Sequence, residues 1–409
     1  MNMAHRSAHE LTDSQRTRGI LALMASTTIG LIGQFMFSPL LVFLLQARGL
    51  PPSQIGLFSA TVWLGILVAT PQTGRIVARI GRRNALIASL AIPCLTMTGV
   101  ASTESLWIWT PLNFIAGMAT SMRWVLAESC IAELVPAHRR GRIIGMYQTL
   151  LGAALVSAPM LLAWLGPTRP GTRWVSLGLL VAGLLITLAT PRLPAVAAGD
   201  TRTGMRGLWS AARTMPLAAV AGFVGGFFEL GIAALLPVYG LAIGLGTAGA
   251  AMLLSASGLG SMLAMLPLGE AADRFSATRV MRVCALTTLL ASMALPLVAF
   301  SPAVAWPLAF LWGAAGGALY TLTMIEIGHR HHGSRLISAT SLLVVSYTLG
   351  SLCGPIASGM AIEWSVDYAV PGIFSAVAAI GWFSLRAATV AGTSTATANE
   401  SPLPVDRPA

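Results

Sequence analysis

The chain has 409 residues, of which 55% are hydrophobic and only 10% are charged. Water-soluble domains carry about 25% charged residues, so this composition excludes a soluble globular protein and predicts long apolar segments that face lipid. The net charge of +11 comes from 25 basic residues that are all arginine and stand in small, spaced clusters, a pattern typical of membrane orientation rather than of nucleic-acid binding.

The chain begins with a polar stretch, 1–18, which lacks the short apolar core and cleavage site of a signal peptide and is expected to be a cytoplasmic tail. Apolar segments of about 20 residues or more, long enough to cross a bilayer, follow one another along the rest of the chain. They predict an all-α integral membrane protein with about twelve transmembrane helices, at residues 19–47, 54–73, 83–102, 106–134, 143–165, 174–192, 215–241, 247–269, 280–300, 304–328, 336–361 and 370–390.

The longest internal connection, 193–214, contains proline and glycine and divides the predicted helices into six and six. We therefore expect an N-terminal six-helix bundle at 19–192, a cytoplasmic linker at 193–214 and a C-terminal six-helix bundle at 215–390. Residues 391–409 are expected to form a cytoplasmic C-terminal tail.

The distribution of arginine predicts the orientation of these helices. The N-terminal tail, every second connection and the C-terminal region together hold 21 of the 25 arginines, whereas the alternate connections hold Arg48, Arg169 and Arg173. By the positive-inside rule both termini are cytoplasmic, and the chain is expected to be a multi-pass protein of the cytoplasmic (inner) membrane of a bacterium. Six tryptophans near the arginine-poor ends agree with an interfacial belt: Trp107, Trp109, Trp164, Trp174, Trp306 and Trp364.

A glycine- and arginine-containing motif occurs twice, in the connections after the second and eighth predicted helices. The second copy lies 195 positions after the first, which indicates an internal repeat. An acidic residue also ends the fourth and the tenth helix. The residues of these paired signatures are Gly74, Arg79, Gly81, Arg82, Arg83 and Glu133 in the first half, and Gly269, Asp273, Arg274 and Glu326 in the second.

These paired signatures resemble those of the major facilitator superfamily, and the resemblance covers nearly the whole chain. It implies two pseudo-symmetric six-helix bundles and gating by the two loops, which clamp the cytoplasmic side and pair their arginines with acids such as Glu133 and Glu326. Ala78 stands where the family has an aspartate, so the clamp would depend more on Asp273. The alternative is that the arginines only set membrane orientation.

Glu229 is the first candidate for chemistry, because a carboxylate near the middle of a membrane span is costly and normally faces a cavity or a partner. Small residues surround it at helical spacing, at Gly222, Gly225, Gly226 and Ala233. Burial favours the neutral form of a carboxyl group, so Glu229 is predicted to exchange a proton during transport. The alternative is a neutral glutamic acid that hydrogen-bonds between helices.

The fourth predicted helix carries Arg123 at the edge of a polar and aromatic stripe, which consists of Asn113, Gly117, Thr120, Ser121, Trp124 and Glu128. The resemblance implies that the first, fourth, seventh and tenth helices line the central cavity. Predicted substrate-binding residues are therefore Arg123, Trp124, Asn113, Gln34, Tyr320 and Thr323, with Glu128 a second candidate for proton coupling. Arg123 could hold a substrate anion or pair with Glu229 or Glu128; a fixed structural ion pair is the alternative.

Other chemistries find little support in the sequence. The cluster His329, Arg330, His331, His332 lacks the spacing of a metal site, and the four cysteines show no CxxC pattern. A phosphate-binding P-loop requires a lysine, which the chain lacks, and no pattern of an enzyme active site is present. We expect no cofactor and no metal.

The favoured hypothesis is a proton-coupled secondary active transporter that moves a small organic solute, which could be anionic, by alternating access. Efflux by proton antiport is the favoured direction. An uptake symporter for an organic acid, a sugar or a vitamin is the first alternative. A non-transporting membrane sensor or an intramembrane enzyme is the second, disfavoured because paired gating loops would have no purpose there. The partners of the favoured transporter would be the solute, protons and the lipid bilayer, without nucleic acid. The transporter is expected to function as a monomer.

Overall fold

A computed structural model of the chain describes residues 13–134, 140–169, 171–188, 212–330 and 333–398. Within these ranges the secondary structure is entirely helical, as expected, with no strand. Residues 1–12 of the predicted N-terminal tail, most of the predicted linker 193–214 and the end of the C-terminal tail lie outside the described residues.

The first half of the chain forms long helices joined by short turns. The second of these helices is followed by a 3₁₀ turn at Thr70–Gln72, which leads into the short helix that carries the first gating motif. The helices are α1 Asp13–Ala47, α2 Pro52–Ala69, α3 Thr73–Ile80, α4 Arg82–Ala101, α5 Leu106–Leu134, α6 Arg140–Leu165 and α7 Thr172–Leu188.

The second half differs by having two π-helical turns inside its long helical segments, at Phe227–Gly231 and Trp312–Gly316. The last helix runs eight residues into the stretch predicted to be a tail. The helices are α8 Pro216–Gly226, α9 Leu236–Ala242, α10 Thr247–Phe275, α11 Ala277–Met293, α12 Ala305–Leu311, α13 Gly317–Arg330, α14 Gly333–Trp364 and α15 Ala369–Ala398.

Nine helical segments of the described chain are long and apolar enough to cross a membrane. Two more, Thr149–Leu165 and Thr172–Leu188, are apolar but shorter. The helix α5, which carries Arg123, is not among the nine segments. The chain is therefore a multi-pass membrane protein. The qualifying segments are Arg16–Ala47, Pro52–Ile80, Arg82–Ala101, Pro216–Ala242, Thr247–Phe275, Ala277–Ala299, Pro302–Arg330, Ser338–Trp364 and Ala369–Ala387.

The first and second halves of the chain meet at the helix ends that are poor in arginine. There α2 packs on α14, with Gly56 against the carbonyl of Pro355 and Gly359 against that of Pro52. The backbone N–H of Ser53 also donates to Oε2 of Glu363 at 3.1 Å. Glycines permit this approach, because a Cβ at either position would overlap the facing backbone.

The hydrophobic core has a different extent at the two ends. At the arginine-poor end one cluster joins both halves, for example Leu45 and Ile55 with Leu235 and Tyr239. At the arginine-rich end the described core consists of separate clusters. One lies within the first half, around Leu23, Ala85, Leu126, Ile131 and Tyr147, and another within the second, around Ala218, Ile327, Ala339 and Leu343.

The turn of each gating motif has the same unusual backbone. Gly81 has φ 81° and ψ 154°, and Ser276, at the matching place of the repeat, has φ 86° and ψ 137°. Ser276 is the one residue other than glycine with positive φ in the described chain. The second copy thus keeps the turn geometry of the first without the glycine that favours it.

The tryptophan belt is only partly as predicted. Trp107, Trp164 and Trp364 are at least 80% exposed, as an interfacial position requires, but Trp109 is 2% exposed. Its indole Nε1 donates to the carbonyl of Thr103 and its ring lies 4.4 Å from the guanidinium of Arg48. Trp109 is therefore a core residue, because its indole N–H finds a backbone acceptor inside the protein.

Candidate functional site

Glu229 lies in the π-helical turn Phe227–Gly231, between α8 and the 3₁₀ turn that leads to α9. A π turn inserts one extra residue into a helical turn and is frequent at functional sites. Phe227 and Phe228, just before Glu229, are fully buried and pack in edge contact with Phe374 of α15. The aromatic packing holds the back of the turn, and Glu229 itself is only partly buried.

Both carboxylate oxygens of Glu229 accept hydrogen bonds from hydroxyl groups of neighbouring helices. Ser261 Oγ of α10 donates to Oε1 at 2.8 Å, and the Tyr347 hydroxyl of α14 donates to Oε2 at 2.9 Å. The ring of Tyr347 lies 4.8 Å, centroid to centroid, from that of Tyr320 on α13. Among the described residues no arginine or histidine forms an ion pair with Glu229, so its immediate partners are neutral.

Glycines bring the backbones of this site close together. A Cβ at Gly317 would lie 2.8 Å from Cδ of Glu229, and one at Gly225 would lie 3.2 Å from the backbone nitrogen of Tyr320. Gly226 packs directly against the carbonyl of Tyr347. The predicted small-residue face of this helix therefore serves close packing on α13 and α14, while Glu229 occupies the space beside Gly317.

The second π turn, Trp312–Gly316, faces the first. Trp312 contacts Phe228 and Phe374 through tilted and edge ring arrangements, and a Cβ at Gly316 would lie 2.6 Å from Cβ of Phe228. Both irregular turns are thus held by one aromatic cluster. The described helices of the first half contain no comparable π turn.

Arg123 of α5 is buried inside the first half, with 4% of its surface exposed. Its terminal nitrogens donate to Ser26 Oγ (2.7 Å) and Thr27 Oγ1 (2.8 Å) of α1 and to Thr187 Oγ1 (3.3 Å) of α7. These hydroxyls are the polar partners that the described chain gives it, so the predicted pairing with Glu229 does not occur in this structure. The side chain of Glu128, the other predicted partner and coupling candidate, lies outside the described residues.

The polar stripe of α5 packs against α2. Asn113 Nδ2 donates to the carbonyl of Phe58 and to Thr61 Oγ1, and the hydroxyls of Ser121 and Thr70 lie 2.8 Å apart. A Cβ at Gly117 would overlap the carbonyl of Val62. The stripe was predicted to face the substrate, but most of its members join two helices.

The remaining predicted binding residues are dispersed. Gln34 of α1 donates to Thr120 and, with Asn113, lines a cavity of about 40 Å³ inside the first half. Thr323 is 3% exposed and donates to the carbonyl of Leu319, one turn back on its own helix. Trp124 is 38% exposed. Tyr320 alone of this group lies beside Glu229's partners.

Two gating residues, Arg83 and Glu326, form described bonds within their own half of the chain. Arg83 donates to the carbonyl of Leu188 at the end of α7. Glu326 accepts from Thr278 Oγ1 at 3.2 Å and forms an ion pair with Arg330. Five further gating residues lie on the arginine-rich side: Gly74, Arg79, Gly269, Asp273 and Arg274, with open space beside both glycines. Arg82 is 7% exposed. The side chain of Glu133 lies outside the described residues.

Sequence reasoning missed the hydroxyl partners of both charged residues. Tyr347 and Ser261 hold Glu229, and Ser26, Thr27 and Thr187 hold Arg123. One signal for the Glu229 site was the scarcity of tyrosine: the chain has only 5, and two of them, Tyr320 and Tyr347, meet at this site. The pairing itself depends on helix rotation, which local sequence does not determine.

The helical fold and the repeated gating turns agree with a comparison against protein families. The model of the Major Facilitator Superfamily matches residues 23–334 and 250–405. The chain belongs to the major facilitator superfamily. It is therefore a membrane transporter and not an enzyme, and the resemblance stated from the loop motifs is confirmed.

Relatives that match this chain over most of their own length share this assignment. The chain is 28% identical over 383 residues to the "uncharacterized MFS-type transporter YcaD" of Salmonella paratyphi A, a match that covers 90% of this chain and 94% of the relative. A match to the protein of the same name in Salmonella dublin covers 91% and 95% at 28% identity.

Solved structures show the same fold. The nucleoside transporter NupG superposes with a TM-score of 0.75 at 14% identity, covering 90% of this chain and 98% of that one. A D-xylose-proton symporter gives 0.71 at 14% identity, with 91% and 95% covered. A bacterial homologue of the human lysosomal transporter Spinster, inward-facing and occupied, gives 0.68 at 18% identity, with 93% and 94% covered.

Proposed function

We propose that this member of the superfamily is a proton-coupled secondary active transporter for a small organic solute and that Glu229 is its proton-carrying group. The observation that supports this most is the carboxylate itself: it lies in a membrane-spanning segment, in a π turn, with two hydroxyl donors and no described cation. A residue so costly in a bilayer is retained when it serves a pathway or a relay.

Two features of the site suit reversible proton exchange. The hydroxyls of Ser261 and Tyr347 stabilise the ionised carboxylate by donation, while no cation among the described residues compensates its charge. A solute that brings a positive charge or a hydrogen-bond donor would favour proton release. A proton taken up from the other side would favour release of the solute.

The proposed topology has twelve transmembrane helices in two bundles, 19–192 and 215–390, with both termini cytoplasmic and the chain in the bacterial inner membrane. The arginine-rich ends then face the cytoplasm. The halves are joined by core packing at the arginine-poor end, and at the other end the described bonds of Arg83 and Glu326 stay within their own half. We assign this arrangement to an inward-open state of the alternating-access cycle.

The proposal also includes a direction of solute transport. We favour export by proton antiport, the direction that the resemblance to the superfamily led us to expect. Uptake by proton symport is the second candidate, because a structural neighbour is described as a D-xylose-proton symporter. The carboxylate chemistry at Glu229 serves either direction.

Arg123 enters the proposal as a fixed positive charge of the first half. Its forked guanidinium joins α1, α5 and α7 through Ser26, Thr27 and Thr187, which suits its geometry. It contacts an anionic solute only if these hydroxyls release it during the cycle.

Transport in proteoliposomes with an imposed pH gradient tests the function. A radiolabelled nucleoside, a radiolabelled pentose and a fluorescent organic cation are suitable first solutes. An acidic interior drives solute uptake by an antiporter, whereas an acidic exterior drives uptake by a symporter. Glu229→Gln is expected to abolish accumulation against a gradient, with Glu270→Gln, an exposed carboxyl on α10, as the matched control. Gradient-driven accumulation that survives Glu229→Gln would refute the assignment.

A further inference from the structure

Three arginines converge on the outer surface of the second half, away from the proposed transport site. Arg279 and Arg282 of α11 and Arg386 of α15 line one cavity of about 390 Å³ together with Trp382, Val283 and Leu286. These two helices pack directly on each other. The cavity lies at their arginine-rich ends, where the positive-inside rule places the boundary between lipid and cytoplasm.

Arginine gives this cavity its positive charge, and none of its six lining residues is acidic. The forked donors of a guanidinium group match the paired oxygens of a phosphate.

The surface below the cavity is apolar. On α11, Val283 is 64% and Leu290 56% exposed, and on α15, Phe383 is 58% and Ile380 59% exposed. These residues follow the arginines at helical spacing and continue toward the middle of the membrane. The ring of Trp382 lies 5.2 Å from the guanidinium of Arg386, an arrangement that suits the interface between headgroups and acyl chains.

We propose that this groove between α11 and α15, lined by Arg279, Arg282, Trp382 and Arg386, binds the phosphate of an anionic glycerophospholipid, whose acyl chains lie on the apolar surface below. Basic cavities between transmembrane helices on the cytoplasmic side are suited to such headgroups. The apolar continuation favours a lipid over a soluble phosphate compound, which would have no use for it.

Native mass spectrometry of the detergent-purified full chain tests the proposal by counting bound lipids. Wild-type protein is expected to bind phosphatidylglycerol in preference to phosphatidylcholine with the same acyl chains. The double variant Arg279→Gln, Arg386→Gln is expected to lose this preference by about fivefold for each arginine, the effect of one basic residue at an anionic surface. A double variant that keeps the wild-type preference overturns the proposal.

The matched control is Arg169→Gln, Arg173→Gln, which removes two arginines at the opposite ends of the helices. One of them also stands beside a tryptophan, with the Arg173 guanidinium 5.6 Å from the Trp174 ring. The control is expected to keep the preference, and an equal loss there would show a nonspecific charge effect and overturn the site. If the double variant is unstable, the single variant Arg279→Gln, at an exposed position, is expected to show the fivefold loss alone.

A competition with inorganic phosphate separates a lipid from a soluble anion. Bound phosphatidylglycerol is expected to remain when millimolar inorganic phosphate is added, because the acyl chains contribute to binding. Displacement of the lipid by inorganic phosphate would assign the cavity to a soluble anion and overturn the lipid proposal.

Discussion

Glu229 lies in a segment apolar enough to cross a membrane and Arg123 in the fourth predicted span, yet their surroundings differ. Glu229 is partly buried, with neutral donors at both oxygens, whereas Arg123 is 4% exposed and has hydroxyl acceptors on two neighbouring helices. A carboxyl group whose described partners are hydroxyl donors can gain or lose a proton without breaking an ion pair. A fully enclosed, always-charged guanidinium is better suited to fixing helix positions.

Arg123→Lys is expected to lower the thermal stability of the purified protein. Lysine keeps the charge but lacks the fork that reaches α1 and α7 together, so at least one charge-assisted hydrogen bond is lost, at a cost of about 1.5–3 kcal/mol. Differential scanning fluorimetry in detergent measures it. A variant as stable as wild type that loses transport of anionic solutes alone would instead assign Arg123 to substrate binding.

Ser276→Gly is expected to stabilise the protein. Ser276 has φ 86°, a conformation that costs a residue with a side chain about 1–3 kcal/mol, and glycine removes that strain. The reverse exchange at the matching turn, Gly81→Ser, should destabilise by a similar amount, since open space surrounds Gly81 and only its backbone conformation is affected. Equal melting temperatures for both variants and wild type would show that the turns relax without strain.

At the scale of elements, backbone contact between helices in the second half depends on glycine. Gly226→Ala is expected to destabilise by about 1–3 kcal/mol, as overpacking does, because the new methyl group would meet the carbonyl of Tyr347. Gly269→Ala is the matched control, since nothing lies near its side-chain position. Thermal unfolding in detergent compares the two, and a loss of stability at Gly269 as large as that at Gly226 would contradict the packing argument.

Much of the element level could be predicted from the sequence, because hydropathy and arginine clusters depend only on composition along the chain. The 195-position offset of the repeat also places Ser276 opposite Gly81, and the backbone conformations of the two residues agree. The π turns at 227–231 and 312–316 could not be foreseen, since no local residue pattern requires them. The bonds from the α5 stripe to α2 could not be foreseen either, because polarity does not reveal whether a side chain bonds to a neighbouring helix or to a solute.

At the scale of the whole molecule, the two ends of the transporter differ. Core packing crosses between the halves at the arginine-poor end, through residues such as Leu45 and Tyr239, and the described core is divided at the other. This asymmetry is what an alternating-access carrier requires when one gate is closed. The π turns around Glu229 lie in the half that also contributes Tyr239 to the closed end.

Cross-linking is expected to detect the closed end. Cysteines at Ser53 and Glu363, where a backbone N–H meets a carboxylate at 3.1 Å, should be joined by a short thiol-reactive cross-linker after the four native cysteines are replaced by serine. The joined protein should lose transport, because the closed gate can no longer open. A cysteine pair at Arg79 and Asp273, in the two gating loops, is the control. More efficient cross-linking in the loops than at Ser53 and Glu363 would contradict an inward-open resting state.

The central claim is that the carboxyl of Glu229 takes up and releases a proton. Infrared difference spectroscopy between acidic and alkaline pH, on purified protein in lipid, reports the C=O stretch of a protonated carboxyl group without any need to know the solute. Wild type and Glu270→Gln should show such a band that disappears as the pH rises, and Glu229→Gln should lack it. An unchanged band in Glu229→Gln would contradict the account.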